Sequence, residues 1–305
     1  MSSSASLRHS FLKFGAENTW SNVDSNKAHP TLEIYQFRII KSIMNQEQIP
    51  EGVEREVKTV GGAAIDGAPI AYIIVLAAVV TVLAFIPFSI VLGSGKGIPL
   101  SQSIYPLIGW LLGPVAGALA SAIGTLIGAL LAPYTAGVPA IALWGAAIAS
   151  FAAGAMVVEG RRKYWYLGLT LLFVVELSAF AYLAIIRNRI PVNIFIAGAF
   201  IDWSAILLFV LPTRTLFVRL ISSNNFVKVA IGIFGGTWTI CGLAHLSQVP
   251  FTYYLFNWPE AIWTALIPII PVENALRGLS GAVIGTGVIS GLKAINLVKP
   301  KEAIY

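Results

Sequence analysis

Residues 105–131 read YPLIGWLLGPVAGALASAIGTLIGALL, and the fold turns on whether this run is one membrane span or two. A helix crossing the hydrocarbon core needs about 20 largely apolar residues, so the run is long for one span and short for two. Gly113-Pro114 lies near its first third. If the chain turns there, Pro114 becomes a first-turn proline, where its missing N–H costs nothing.

Charge placement arbitrates. Comparable apolar runs cover roughly 69–92, 104–132, 139–158, 164–186, 193–211, 227–247 and 260–292. Between and after them lie three basic clusters: Arg161-Arg162-Lys163, then Arg214, Arg219 and Lys228, then Lys293, Lys299 and Lys301. Such clusters favour the cytoplasmic side. With a cytoplasmic N-terminus, a single crossing at 105–131 carries the first cluster outward, whereas a hairpin brings all three inside. The hairpin leaves Lys96, Arg187 and Arg189 outside, a small exception to an empirical bias. An outward N-terminus with a single span also satisfies the clusters, but it must export a charged leader without a signal sequence. The sequence therefore predicts an all-α, polytopic membrane protein of about eight segments (six to eight), with both termini cytoplasmic, in the plasma membrane of a prokaryote. The expected organisation is a polar leader over 1–66, a transmembrane helical domain over 67–298 and a cytoplasmic tail over 299–305.

Composition agrees with this class. The 305 residues are 57% hydrophobic and 11% charged, with a mean hydropathy of +0.79, and soluble proteins carry about twice that share of charge. The net charge of +6 comes from bases lying between apolar runs. They orient the chain at a membrane and build no basic face for nucleic acid. The single cysteine, Cys241, precludes an intrachain disulfide and a CxxC site. In the leader, seven Lys/Arg mix with eight Asp/Glu, and its first thirty or so residues have a disordered composition. The piece LEIYQFRIIKSIM, 32–44, has the apolar spacing of an amphipathic helix.

Small residues recur every fourth position after the turn. Gly113, Gly117 and Ser121 make one seam, and Ala120, Gly124 and Gly128 another. In lipid such seams let backbones approach closely. They serve either packing between helices of this chain or docking of another membrane subunit, for which Gly117, Ala120, Ser121, Gly124 and Gly128 are the candidates.

Ionisable groups at membrane depth are costly, so each is a functional candidate. Glu176 and Asp202 lie mid-run, and each either serves a ligand or locks two helices together. His245 follows Trp238 by seven residues on the same helix face. In the last run, Pro268 and Pro271 predict an interfacial or half-inserted helix over 260–270 and a true span over 273–292. Glu273 then opens that span, with Arg277 one turn on at i+4. The pair is either self-neutralising or, with Asn274, lines the outward mouth and binds a polar substrate, with Trp258 or Trp263 available to stack. Three histidines in all, two of them in the leader, argue against a zinc site. No metal and no cofactor is expected.

The helix ending at Pro87, the loop GSGKGIPLSQ (93–102) and PLIGWLLGPVAGALASAIGTLIG together resemble the start of a substrate-binding S component of an energy-coupling factor (ECF) transporter. About 65 residues carry the likeness, and the Leu-Gly-Pro-x-x-Gly turn at Leu112–Gly117 is its most specific element. The chain differs from the family in its 66-residue leader, in about eight segments against six, and in Gly124-Thr125 where many members carry an Asp. The resemblance implies capture of a vitamin-like small molecule from outside, in a pocket between the outer halves of the later helices and capped by the first loop. It also implies a T-component-like membrane partner and a separate ATPase module. GSGKG at 93–97 lacks the spacing of a phosphate loop, so ATP hydrolysis falls to the partners. No nucleophile–base pair or HExxH motif is present, so the chain is not expected to be an enzyme. The other reading is a non-catalytic structural or assembly subunit of a larger membrane complex, docked through its leader.

Overall fold

The computed structural model describes residues 63–91, 96–156, 162–295 and 299–305. The expected leader, its amphipathic helix at 32–44 included, lies outside the described residues up to position 62, as do Arg161 and residues 92–95 of the first loop. The described part is all-α apart from two small antiparallel pairs. The first, β1 (Ala64–Ile65) with β2 (Ala68–Pro69), turns through Asp66 and Gly67, both at positive φ. Helix α1 (Ile70–Ala84) follows, then β3 (Pro87–Val91) paired with β4 (Lys96–Pro99). A 3₁₀ turn at Leu100–Ser103 leads into α2 (Tyr105–Leu112) and α3 (Pro114–Leu131). Next come α4 (Pro139–Gly154) and α5 (Trp165–Ala181), the latter prolonged by a π-helical turn at Tyr182–Arg187. Helices α6 (Val192–Gly198) and α7 (Phe200–Val210) are bent by 61° from each other. The chain ends with α8 (Thr213–Ile221), α9 (Phe226–Phe256) and α10 (Glu260–Ala294).

Four helical stretches are long and apolar enough to cross a membrane: α3, α5 with its π turn, α9 and α10; the bent pair α6–α7 makes five. The chain is an integral membrane protein. At 1.5 Å per residue, α1 and α4 are about 22 and 24 Å long and α2 only about 12 Å, so length alone accounts for four or five spans where the sequence predicted about eight. Large apolar side chains such as Ile74, Val82, Leu130, Leu171 and Val283 point outward, as expected of a surface bathed in lipid rather than water.

The run 105–131 is a hairpin. Gly113 takes φ +85°, a conformation open to glycine but strained for other residues, and Pro114 opens the returning helix. Across the turn Gly117 packs on Gly109 so closely that a Cβ on Gly117 would stand 2.8 Å from the Gly109 Cα. Further along, the Tyr105 hydroxyl is 2.9 Å from Thr125 Oγ1, two groups that a straight helix would hold about 30 Å apart. All eight residues of α2 are buried. A short, wholly buried helix is the form in which a partial crossing survives, because neighbours rather than lipid meet its ends.

The small-residue seams are consumed inside the chain, which corrects the docking reading. Gly117 faces α2, and Ser121 Oγ meets Ser150 Oγ of α4 at 2.5 Å. Gly124 lies on Ala77 and Val80 of α1, and Gly128 on Ala84. Ala120 is fully buried. Matching rising numbers on α1 with rising numbers on α3 makes these two helices parallel, with α2 running back between their ends.

A second correction concerns α10, a single helix of 35 residues with Pro268 and Pro271 inside it. Glu273 is therefore mid-helix and not at a helix start. Each proline removes only its own N–H, and packing of Trp263 and Ile267 against Gly198 of α6 shelters this part of α10, so the helix tolerates both residues.

The described members of the three basic clusters gather at one end of the bundle, while Arg187, which lies over Tyr254, and Arg189, beside Trp258 and Glu260, sit at the other. At the basic end Arg162 makes a bidentate ion pair with Asp66, and Lys293 Nζ donates to Ser223 O at 2.8 Å. The C-terminal residues 299–305 tuck in beside them: Ile304 N donates to Trp110 O at 2.8 Å, Ser222 Oγ donates to Ile304 O, and Glu302 packs on Gly113. Hydrogen bonding to Asp66, then its charge and that of Glu302, hold the Arg162 guanidinium above its ordinary pKa against the opposing effect of burial. At the other end the β3–β4 hairpin meets the α3–α4 connection. Here Tyr134 Oη donates to Phe85 O and Thr135 Oγ1 to Ala84 O, both at 2.8 Å.

Candidate functional site: an apolar cavity with a polar stripe

Because α2 begins part-way into the bundle, the space above it is left open towards the hairpin end. A cavity of about 460 Å³ fills that space, within the range of small-molecule sites, roughly 300–1,000 Å³. Its floor is Ser101, Tyr105 and Cys241, and its cover is Gly97–Pro99 of β4 with Trp258 and Phe256. The walls come from α3, α4, α9 and α10, where Gly128, Ala142, Ala146 and Ala149 leave room.

Helix α9 supplies a polar stripe. Cys241, His245, Gln248 and Thr252 all line the cavity, at spacings of four, three and four that bring them to one face. His245 is held from behind: its Nδ1 is 2.7 Å from Asp202 Oδ1 on α7, whose side chain is wholly buried. A carboxylate that fixes one ring nitrogen orients the other, and here the His245 ring forms part of the cavity wall. On the floor, Ser101 Oγ and Tyr105 Oη are 3.1 Å apart, and Tyr105 Oη continues to Thr125 Oγ1. This chain of hydroxyls can re-aim its protons to suit a donor or an acceptor.

The opposite wall carries the charged pair of α10. Arg277 Nη2 lies 3.7 Å from Glu273 Oε2, and both residues line the cavity. Arg277 is 5% exposed and its Nε has no hydrogen-bond partner. Near the cover, Trp263 stacks on Phe180 at 5.3 Å and meets Tyr253 edge-on at 5.5 Å, and its Nε1 is also without a partner. The cavity thus offers an aromatic upper part and a polar, partly charged lower part.

Of the residues singled out in the sequence, Glu273, Arg277 and His245 are brought together here, with Trp258 and Trp263 above them. Asp202 stands behind His245 and not in the wall. Glu176 accepts from Ser247 Oγ at 2.7 Å, joining α5 to α9 away from the cavity. Asn274 is wholly buried and donates to Trp238 O at 3.0 Å; neither residue lines the cavity. Trp238 shares the His245 face but sits about 10 Å deeper along α9, two turns from His245. Sequence reasoning passed over Gln248, Thr252 and the hydroxyls of Ser101, Tyr105 and Thr125. The polar spacing of Cys241, His245, Gln248 and Thr252 within an apolar run was the available signal for the first two.

Among the described residues no group of three or more His, Cys, Asp or Glu side chains is placed to hold a metal ion. Compared with known proteins, the chain matches no family model, no curated protein and no solved structure.

Proposed function

We propose that this chain is the substrate-capturing component of an ECF-like importer in a prokaryotic cell membrane, taking up a vitamin-like or other small polar molecule. One observation carries the reading: the cavity opens towards the end opposite the basic clusters and gathers His245, Glu273 and Arg277 under the β3–β4 cover. If basic clusters mark the cytoplasm, the mouth faces outward, where an importer meets its substrate. In this topology the three shorter helices α1, α2 and α4 also enter the membrane. Together with α3, α5, the α6–α7 pair, α9 and α10 they make eight segments, with both termini cytoplasmic. The ligand best matched to the walls has a flat apolar part for Trp258 and Trp263. It also has polar groups for Arg277, His245 and Gln248.

The chain acts by binding and not by catalysis, and a T-component-like subunit with separate ATPases would supply the driving force. Gentle solubilisation followed by identification of the associated subunits tests this. An ATPase module should accompany the chain, and a stable complex lacking one would count against import. Removing residues 1–60 separates import from the assembly-subunit reading, since uptake should survive the truncation.

A further inference from the structure

Arg214, at the basic end of the bundle, is a buried cation with unpartnered N–H groups. It opens α8, is 8% exposed, and both its Nε and Nη1 lack a hydrogen-bond partner. Its guanidinium lies flat against the Tyr166 ring, with Cζ 3.5 Å from the ring centroid. A cation–π contact attracts the charge but satisfies none of the N–H groups. A desolvated guanidinium without an anion is strongly unfavourable.

The chain's own described carboxylates are all engaged elsewhere. Asp66 and Glu302 face Arg162, Glu176 accepts from Ser247, Asp202 holds His245, and Glu273 faces Arg277. Glu260 begins α10 at the opposite end. An anion that the described residues do not supply would complete the site, and its surroundings say which kind. Leu211 and Leu216 lie within three residues of Arg214, Leu207 lies in the last turn of the preceding helix, and Leu167 follows Tyr166 directly; each is about half exposed, an outward apolar surface suited to acyl chains. Arg162 over Trp165 and Lys163 over Tyr164, each at 4.8 Å, add a cationic and aromatic girdle of the kind found at headgroup depth.

We infer that Arg214 and Tyr166 form a binding site for the phosphate of an anionic phospholipid in the leaflet at the basic end. Nη2, which is not sealed in as Nε and Nη1 are, presents the accessible edge of the guanidinium to the phosphate. Arginine suits the task because its planar fork meets phosphate oxygens in pairs while its face stays on the ring. The site is separate from the cavity, and it stands whether or not the chain is an importer.

The test is native mass spectrometry of the full chain, titrated with phosphatidylglycerol and with phosphatidylcholine of the same acyl chains. The wild type should retain phosphatidylglycerol roughly tenfold better, the equivalent of one charge-assisted hydrogen bond. Arg214→Gln should lose that preference, Arg219→Gln should keep it, and inorganic phosphate should not displace the lipid. Equal retention of the two lipids by the wild type overturns the site, whether or not Arg214→Gln folds. So does an undiminished preference in a folded Arg214→Gln. Displacement by inorganic phosphate overturns the lipid assignment in favour of a free anion.

Discussion

Replacing Gly109 by alanine distinguishes a hairpin from a straight span by the sign of the effect. In an uninterrupted helix over 105–131, alanine would be the better helix former by up to about 1 kcal/mol. In the hairpin, Gly109 lies against α4: the new methyl would overlap Ser150 O and come 2.8 Å from Ala153 Cβ. The obstacle is a backbone carbonyl on a packed helix and cannot swing aside. Overpacking of this kind costs about 1–3 kcal/mol, and a rigid obstacle puts it near the upper figure. Less the propensity gain, the net loss is about 2 kcal/mol, or a melting temperature lower by roughly 4–8 °C for a domain of this size. Cys241 is buried and is the single cysteine, so a thiol-reactive dye reports unfolding in detergent directly. Gly287→Ala on α10, where a Cβ meets nothing within 4 Å, is the control and should melt at or above the wild type. A Gly109→Ala protein that melts at or above the wild type would refute the hairpin.

Three further outcomes follow from the same geometry. Asp202→Asn removes the carboxylate behind His245 and should cost about 1–3 kcal/mol by the same melting assay, with weaker ligand retention; an unchanged melting point would mean that the pair does not lock α7 to α9. Arg277→Gln should reduce retention of a cavity ligand at least tenfold, the effect of one charged hydrogen bond; equilibrium dialysis with the identified ligand reads this, and unchanged affinity would remove Arg277 from the site. Asp66→Asn breaks the ion pair with Arg162 and should destabilise by about 1–3 kcal/mol. Since the Arg162 pKa is raised in the folded state, its share of stability is complete at every pH below the ordinary guanidinium value and is lost only above it. The gap between wild type and Asp66→Asn should therefore stay level from neutral to mildly alkaline pH, and a gap that closes within this window would contradict the assignment.

The parts of the fold that could be read from the sequence are those fixed by local rules or by charge placement. Gly113-Pro114 marked where a turn could fall, since proline starts a helix well, and the placement of the basic clusters decided that the chain turns there. The fourfold spacing of Gly117, Ser121, Gly124 and Gly128 announced close packing, but spacing does not say which helix approaches, and here α1, α2 and α4 take every place. Pro268 and Pro271 misled because a proline's effect depends on whether neighbours shelter the carbonyls it frees, which is a tertiary property. The Asp202–His245 pair was out of reach for a similar reason: 43 residues and one intervening helix, α8, separate its members. Of the cavity, Glu273 and Arg277 could be found as rare charges in an apolar run. Ser101, Tyr105 and Thr125 could not, since hydroxyls are ordinary in membrane helices and become a site only when α2 stops short.

If the chain captures a substrate, the cavity beneath β3–β4 holds it. The direct measurement is untargeted mass spectrometry of what the gently purified wild type releases on denaturation, set beside an Ala142→Trp protein whose new ring would occupy the cavity wall. The wild type should release one compound in near-stoichiometric amount, and a folded Ala142→Trp protein should lack it. A wild type that releases nothing specific, or a variant that releases the same amount, would contradict capture in this cavity.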